Sequence, residues 1–237
     1  MSGLVHAEVD DAVGRLRLTR AHKRNALNAA MVHEALDAMD EFVAAGVRVA
    51  VLSADSPVFC SGNDLTEVPD QVENSVALRF VDALLNRPLF WVAAVSGPAL
   101  GAGVALAAVC PVTVMAEHTW FSLPEVEIGL FPAGVVPYLE RLVGPRTAFR
   151  AGLTGAPLAA ADAFTAGLVD EVVPSEQMED RVQSRVAELL RRPGVTDAAR
   201  QAWQALFHTP EFTHRFDQMR EILRVHERNV PIARGDK

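Results

Sequence analysis

Residues 94–104 read AVSGPALGAGV, an apolar run that stops at the turn Ser96-Gly97-Pro98 and resumes in small residues. A buried strand is predicted over 90–95, before the turn, and a helix is predicted to begin near Gly101-Ala102-Gly103. Small residues let a ligand approach the backbone, and the first amides of a helix have no partner inside it. Because those amides lie at the positive end of the helix dipole, they suit a negatively charged oxygen. Close packing of the helix on the strand is the alternative explanation for the same small residues.

Strands and helices are predicted to alternate on both sides of this turn. The predicted strands are 5–9, 14–19, 47–52, 90–95 and 112–115, and the predicted helices are 29–44, 72–85 and one that starts near 101. Asn28 is the expected N-cap of the first helix, and Gly46 is its expected end. From about Pro145 the pattern is nearly all helical, with one short strand at 168–172. The sequence therefore predicts an α/β core over residues 1–174 and a C-terminal helical region over 175–237, whose apolar faces suit packing or subunit contacts.

Composition argues against several classes of protein. Half of the 237 residues are apolar, enough for a large core, and the net charge of −8 argues against nucleic acid or an anionic membrane as the main partner. Pro98 and Pro111 interrupt the apolar stretch 89–115, so no membrane span is predicted, and the N-terminus has no signal-peptide pattern. Cys60 and Cys110 form no CxxC pair, and the seven histidines show no metal-ligand spacing. We therefore expect a cytoplasmic protein without a metal site.

Two other segments place polar and small residues in predicted loops. Residues 20–28 read RAHKRNALN, in which Lys23 and Arg24 can neutralise phosphates. On these residues alone, an ordinary solvated loop is the more common explanation. Residues 58–65 read VFCSGNDL, a strand end that opens into a glycine-containing loop.

Three more segments follow in order along the chain. They are 121–132 (FSLPEVEIGLFP), 153–158 (LTGAPL) and 166–174 (AGLVDEVVP). Together with the three segments above, they resemble the crotonase superfamily of enoyl-CoA hydratases and isomerases over about residues 13–174. The resemblance implies an α/β spiral of ββα units with a helical C-terminal region, assembled as a homotrimer or a pair of trimers. It also implies an acyl-CoA thioester substrate, with coenzyme A entering as part of that substrate and no separate cofactor.

The resemblance assigns an oxyanion hole to the backbone amides of Asn63 and Ala102, with Gly103 as the substitute if the register differs by one residue. Such amides stabilise the charge that develops on the thioester oxygen when the α-carbon loses a proton. The substrate-binding residues that it assigns are Ala21, Lys23, Arg24, Ala26, Leu27, Ser61, Gly62, Asp64, Leu65, Gly101, Pro124 and Leu130. Of these, Asp64 is expected to shape its loop rather than to act in catalysis. Asn63 replaces the family's usual Ala or Gly and would place a polar side chain beside the ligand.

The acidic residues decide which reaction the resemblance favours. The two glutamates of the family's hydratases fall on Ala105 and Glu125, and the second acid of its dienoyl isomerases falls on Ala133. A single glutamate is the pattern of the Δ3,Δ2-enoyl-CoA isomerases, in which one carboxylate takes a proton from C2 and returns one at C4. Apolar neighbours are expected to raise the pKa of Glu125 towards neutrality, as this chemistry requires. Glu127 is expected to point away.

Three alternatives stay open from the sequence. Glu125 follows Pro124, so it also suits the first turn of a helix with no catalytic role. A hydratase with another group in place of the missing glutamate, or an enzyme of other enolate chemistry, would use the same pocket. A non-catalytic acyl-CoA-binding protein would retain the fold and the oxyanion hole.

Overall fold

A computed structural model describes residues 3–67 and 75–229 of the chain. Along the described residues the strands are β1 (Val5–Asp10), β2 (Val13–Leu18), β3 (Val49–Ala54), β4 (Phe90–Val95), β5 (Ala99–Leu100), β6 (Val112–Ala116), β7 (Trp120–Ser122), β8 (Leu158–Ala159) and β9 (Glu171–Val173). One sheet has the strand order β1-β2-β3-β4-β6-β9, and a smaller sheet has the order β5-β7-β8. The β1–β2 pair is antiparallel, and every other neighbour pair in the large sheet is parallel.

Helices connect and cover these strands. They are α1 (Ala29–Ala44), α2 (Val76–Asn86), α3 (Ala102–Ala108), α4 (Val136–Thr154), α5 (Ala160–Thr165), α6 (Met178–Arg191), α7 (Pro193–Ala205) and α8 (Pro210–Asn229). Short 3-10 helices occupy Ala21–Lys23, Pro124–Ile128 and Ser175–Gln177. Helix α4 is kinked where Gly144 adopts φ 77° and ψ 163°. The kink follows from Pro145, because proline disfavours the helical conformation in the residue before it.

The large sheet is packed on both faces. Ala50 and Leu52 of β3 point into a core shared with α1, α2 and α3, whereas Val49 and Val51 point into a second core with α6. All six residues of β4 are buried, as expected for a central parallel strand covered on both sides. Helix α6 is amphipathic and closes the second face.

The C-terminal helical region packs on the body of the same chain. Phe207 and Met219 are buried in the larger core, and the indole N–H of Trp203 donates to the carbonyl of Val109 at 2.8 Å. The domain division at residue 174 stays a prediction. Within residues 3–67 and 75–229, no helix is long and apolar enough to cross a membrane.

The predicted elements are present, with shifted ends. Asn28 caps α1 as predicted, because its Oδ1 accepts from the amide of Met31 at 3.0 Å. The strand predicted at 168–172 forms later, at Glu171–Val173, and the last helical part begins before Pro145, with α4. Helix α2 is described from Val76, and the predicted start of that helix at 72 lies outside the described residues.

Candidate active site

A cavity of about 730 Å³ opens beside the loops that follow β2, β3 and β4. Because these strands are parallel, their carboxyl ends bring those loops to one edge of the sheet, where α/β proteins place their ligands. The predicted site residues that line it are Lys23, Arg24, Ala26, Ser61, Gly62, Asn63, Asp64, Leu65, Gly101, Ala102, Pro124, Glu125 and Leu130. The predicted residues outside its lining are Ala21, Leu27 and Gly103.

The loop after β2 presents cations to the cavity. Arg24 and Asn25 both adopt left-handed backbone conformations, with φ of 52° and 53°. Asn25 is fully buried, and its Nδ2 donates to the carbonyls of Val58 at 3.0 Å and Phe59 at 3.2 Å. This buried amide ties the first loop to the second, and so holds exposed Lys23 and Arg24 at the cavity. Asn25 is a positioning residue that the sequence did not single out.

The direction of the Asn63 amide follows from its neighbours. Leu27 donates its backbone N–H to the carbonyl of Gly62 at 2.7 Å and accepts from the amide of Asp64 at 2.9 Å. The carbonyl of Gly62 therefore points at Leu27, and across the trans peptide the N–H of Asn63 points the opposite way. Leu27 thus aims the candidate oxyanion donor through the backbone, although its side chain is buried and does not line the cavity.

Asp64 is committed to the structure of its loop. Its Oδ1 accepts from the amide of Thr66 at 3.0 Å and the hydroxyl at 2.7 Å, and its Oδ2 lies 2.7 Å from Arg20 Nη1. Burial alone would raise its pKa, but the hydrogen bonds from Thr66 and Arg20 outweigh burial and hold the pKa at about 2. Arg20 also donates to the carbonyl of Ala26 at 2.9 Å, so one ion pair joins both loops.

The second candidate donor lies at the start of α3. Gly101 adopts φ 53°, donates its N–H to Ser122 at 2.9 Å, and accepts from Val104 at 3.0 Å. Its carbonyl therefore points along the helix, and the N–H of Ala102 points outward. A Cβ placed on Gly62 would lie 3.3 Å from the nitrogen of Ala102, so the backbones that carry the two candidate amides are in contact.

Gly103 serves packing. A Cβ at this position would lie 2.5 Å from the carbonyl oxygen of Cys60, so only glycine allows α3 to pack this closely on the loop after β3. This is the close-packing explanation of the small residues, and it applies to Gly103 while Ala102 borders the cavity.

Cys60 and Cys110 are buried, and burial raises the pKa of the Cys60 thiol to about 12.

Glu125 is a partly buried carboxylate of the site. It lies in the 3-10 helix Pro124–Ile128, and a Cβ placed on Gly101 would be 2.7 Å from its Oε1. Its Oε2 is buried without a hydrogen-bond partner among residues 3–67 and 75–229. Burial raises the pKa of Glu125 from 4.5 to about 7, and its own backbone amide lowers it by a smaller amount. The carboxylate is therefore poised to exchange a proton near neutral pH.

The two other acidic positions of the family's enzymes hold alanine on this cavity. Ala105 and Ala133 both line it and are both 1% exposed. Glu127 is exposed and also lines the cavity, so the prediction that it points away is wrong. Because a 3-10 helix has three residues per turn, the side chains of Glu125 and Glu127 lie about 120° apart around its axis, and both border the cavity. Ser75 lines the cavity too and was not predicted.

The described residues contain no group of three His, Cys, Asp or Glu side chains that could hold a metal ion. The polar groups on the cavity include backbone amides, surface cations and the carboxylate of Glu125, whose Oε2 has no hydrogen-bond partner among the described residues. This set suits an acyl group whose carbonyl oxygen becomes negatively charged during reaction.

Comparison with solved structures defines the fold class. The chain is similar to an enoyl-CoA hydratase from Mycobacterium avium subsp. paratuberculosis K-10, with a TM-score of 0.83 and 27% identity over 95% of this chain and 94% of that one. The fold is that of the crotonase superfamily, as the sequence predicted.

The family follows from the sequence comparison. The model of the enoyl-CoA hydratase/isomerase family matches residues 8–228, and the chain belongs to this family. It is 34% identical over 200 residues to 2,3-dehydroadipyl-CoA hydratase of Escherichia coli K12. The aligned residues cover 79% of this chain and 76% of that protein. It is 32% identical over 199 residues to enoyl-CoA hydratase domain-containing protein 3, mitochondrial, of Rattus norvegicus, over 79% of this chain. The matched part spans 66% of the length of the rat protein.

Proposed function

We propose that the protein binds an enoyl-CoA thioester in this cavity and shifts its double bond, with Glu125 as the single acid–base group. One observation carries the proposal: Glu125, whose Oε2 is buried without a hydrogen-bond partner among the described residues, has a pKa of about 7, while alanines occupy positions 105 and 133. Asp64 is held in its loop by Thr66 and Arg20, and no carboxylate stands at position 105 or 133 to hold water, so proton removal and return by Glu125 is the chemistry that we propose.

In this mechanism the thioester oxygen accepts hydrogen bonds from the amides of Asn63 and Ala102. Glu125 removes a proton from C2 of a 3-enoyl thioester, and the electron pair moves onto the thioester oxygen as an enolate. The same carboxyl group returns a proton at C4, so the double bond moves from C3–C4 to C2–C3 with no net change in atoms. Each oxyanion donor contributes about 3 kcal/mol to lowering the barrier.

The cavity lining includes both cations and apolar side chains, which suits the phosphates and the acyl chain of an acyl-CoA. Lys23 and Arg24 lie exposed on the loop after β2, where they can pair with phosphates. The wall from α2 and the segment after the 3-10 helix is apolar and includes Leu78, Val81 and Phe131. This wall can bury an acyl chain.

A hydratase is the second candidate, since the Escherichia coli relative is named as a hydratase. In that case a group other than residue 105 activates water. The test is to incubate the protein with trans-3-enoyl-CoA and trans-2-enoyl-CoA of several chain lengths and to follow both reactions by mass spectrometry and NMR. Double-bond migration without hydration supports the isomerase, and hydration supports the second candidate. Binding without solvent deuterium exchange at C2 would contradict both and indicate a binding protein.

Assembly as a homotrimer or a pair of trimers, and the cytoplasmic location, stay predictions. Light scattering after size-exclusion chromatography measures the first. The helical region would supply subunit contacts on this proposal, since α7 and α8 carry exposed apolar side chains at Val195 and Ile222.

A further inference from the structure

Ser75 occupies the N-cap position before α2, but its side chain does not cap the helix. Serine at an N-cap position usually accepts a hydrogen bond from an amide in the first turn of the helix. Here the side chain makes no such bond, and the hydroxyl instead donates to Oδ1 of Asn63 at 3.3 Å, across 12 positions of the chain. A local interaction that favours the helix is thus replaced by a tertiary one.

This contact lies on the cavity. Ser75 is 7% exposed and lines the cavity together with Asn63. The following turns of α2 present Ala77, Leu78 and Val81 to the same space. One helix therefore carries both the apolar wall proposed for the acyl chain and a hydroxyl that holds the residue whose amide faces the thioester.

The loop that carries Asn63 is held from two sides. On one side, Leu27 pairs with the backbone of Gly62 and Asp64. On the other side, the hydrogen bond from Ser75 joins the loop to α2. The first contact sets the direction of the Asn63 N–H. The second makes the position of Asn63 depend on the position of α2.

We infer that Ser75 is a positioning residue, which couples the acyl-binding helix to the oxyanion hole through the side chain of Asn63. The inference rests on the proposed function. An acyl chain that packs on α2 holds the helix in one position. Because the Ser75–Asn63 hydrogen bond joins the helix to Asn63, it also fixes the position of the amide that stabilises the enolate. Binding energy from the remote chain then appears in kcat. The polar side chain of Asn63 is explained as a tether.

The experiment measures solvent deuterium exchange at C2 of thioesters with acyl chains of increasing length. In the parent protein, kcat should rise with chain length. Ser75→Ala should lower kcat about tenfold with little change in KM, since a slightly misplaced donor weakens transition-state stabilisation. It should also remove the dependence of kcat on chain length. Ser75→Thr should restore both, because threonine keeps the hydroxyl. Ser184→Ala, at an exposed position on α6, is the matched control.

A second background separates positioning from a structural role. In Asn63→Ala, the further change Ser75→Ala should have no effect on kcat, because its partner is gone. An equal loss of kcat in both backgrounds would overturn the inference, as would a lower Tm with unchanged kcat in Ser75→Ala. If the parent exchanges no thioester, the proposed function fails and the inference fails with it. If the parent exchanges normally and Ser75→Ala does too, the inference alone fails.

Discussion

Replacing Glu125 by glutamine removes the proposed base while keeping the shape of the side chain. Exchange at C2 should fall by a factor of about 10² to 10⁴, the usual contribution of a general acid–base group. Thioester binding should persist, because the amides of Asn63 and Ala102 are unchanged. In the parent, the rate should rise with pH through about 7 as Glu125 loses its proton.

The same substitution should change stability in a pH-dependent way. The pKa of Glu125 is about 7 in the folded chain, against an ordinary value of 4.5, so the folded state favours the protonated form. The raised pKa of Glu125 therefore contributes its full amount to the free energy of unfolding of the parent below pH 4.5. This contribution is lost as the pH rises through about 7. The difference corresponds to at most about 3 kcal/mol, reduced by solvent access to the cavity. Glutamine cannot ionise, so Glu125→Gln should be the more stable protein at pH 8 and nearly equal to the parent at pH 4.

Urea unfolding at both pH values and C2 exchange by NMR measure the two effects. Glu127→Gln is the control, since Glu127 lines the same cavity from an exposed position two residues away. It should keep most of the exchange activity and show no stability gain at high pH. Retention of more than about a tenth of the rate in Glu125→Gln would remove Glu125 from the proposed role. A stability difference that is equal at pH 4 and pH 8 would refute the argument from burial.

Gly101→Ala should lower the exchange rate about 100-fold, because its Cβ would lie 2.7 Å from Oε1 of Glu125 at a backbone φ of 53° and would displace the base. Ala105→Glu should add a second carboxylate to the cavity and produce water addition, detected by mass spectrometry; a variant that folds and binds thioester without any hydration would contradict this. Arg20→Ala should destabilise the fold by about 3 kcal/mol in urea at pH 7, because it leaves Asp64 buried without its cation. That loss should shrink towards pH 2, where the parent also protonates Asp64.

Features that depend on a few neighbouring residues were predictable. The cap of α1 requires only the side chain of Asn28 and the amide of Met31, which lie three residues apart in the chain. The buried strand β4 is an apolar run between turns. The ends of β9 and α4 were predicted less well, because tertiary pairing and the kink at Gly144 decide them.

The candidate site was predictable in its residues and not in its geometry. The order of short motifs identified the family and pointed to Asn63, Ala102 and Glu125. It could not show that Gly103 packs on the loop after β3 while its neighbour borders the cavity, since both are small residues in one turn. Ser75 carried no local signal, because a serine before a helix predicts a cap.

The sequence by itself determined the α/β class, the loop residues that can meet at the strand ends, and the alanine at position 105, where the resemblance to the crotonase superfamily implies a glutamate in hydratases. These follow from periodicity, caps and residue identity, which are local properties of the chain. The raised pKa of Glu125 was predicted in direction from its apolar neighbours, and its value of about 7 came from the tertiary structure. Tertiary structure alone decided that Asp64 has a pKa of about 2 and that Ser75 bonds to Asn63. A pKa depends on burial and on charges from distant segments, and a hydrogen bond between loops depends on the packing that brings them together.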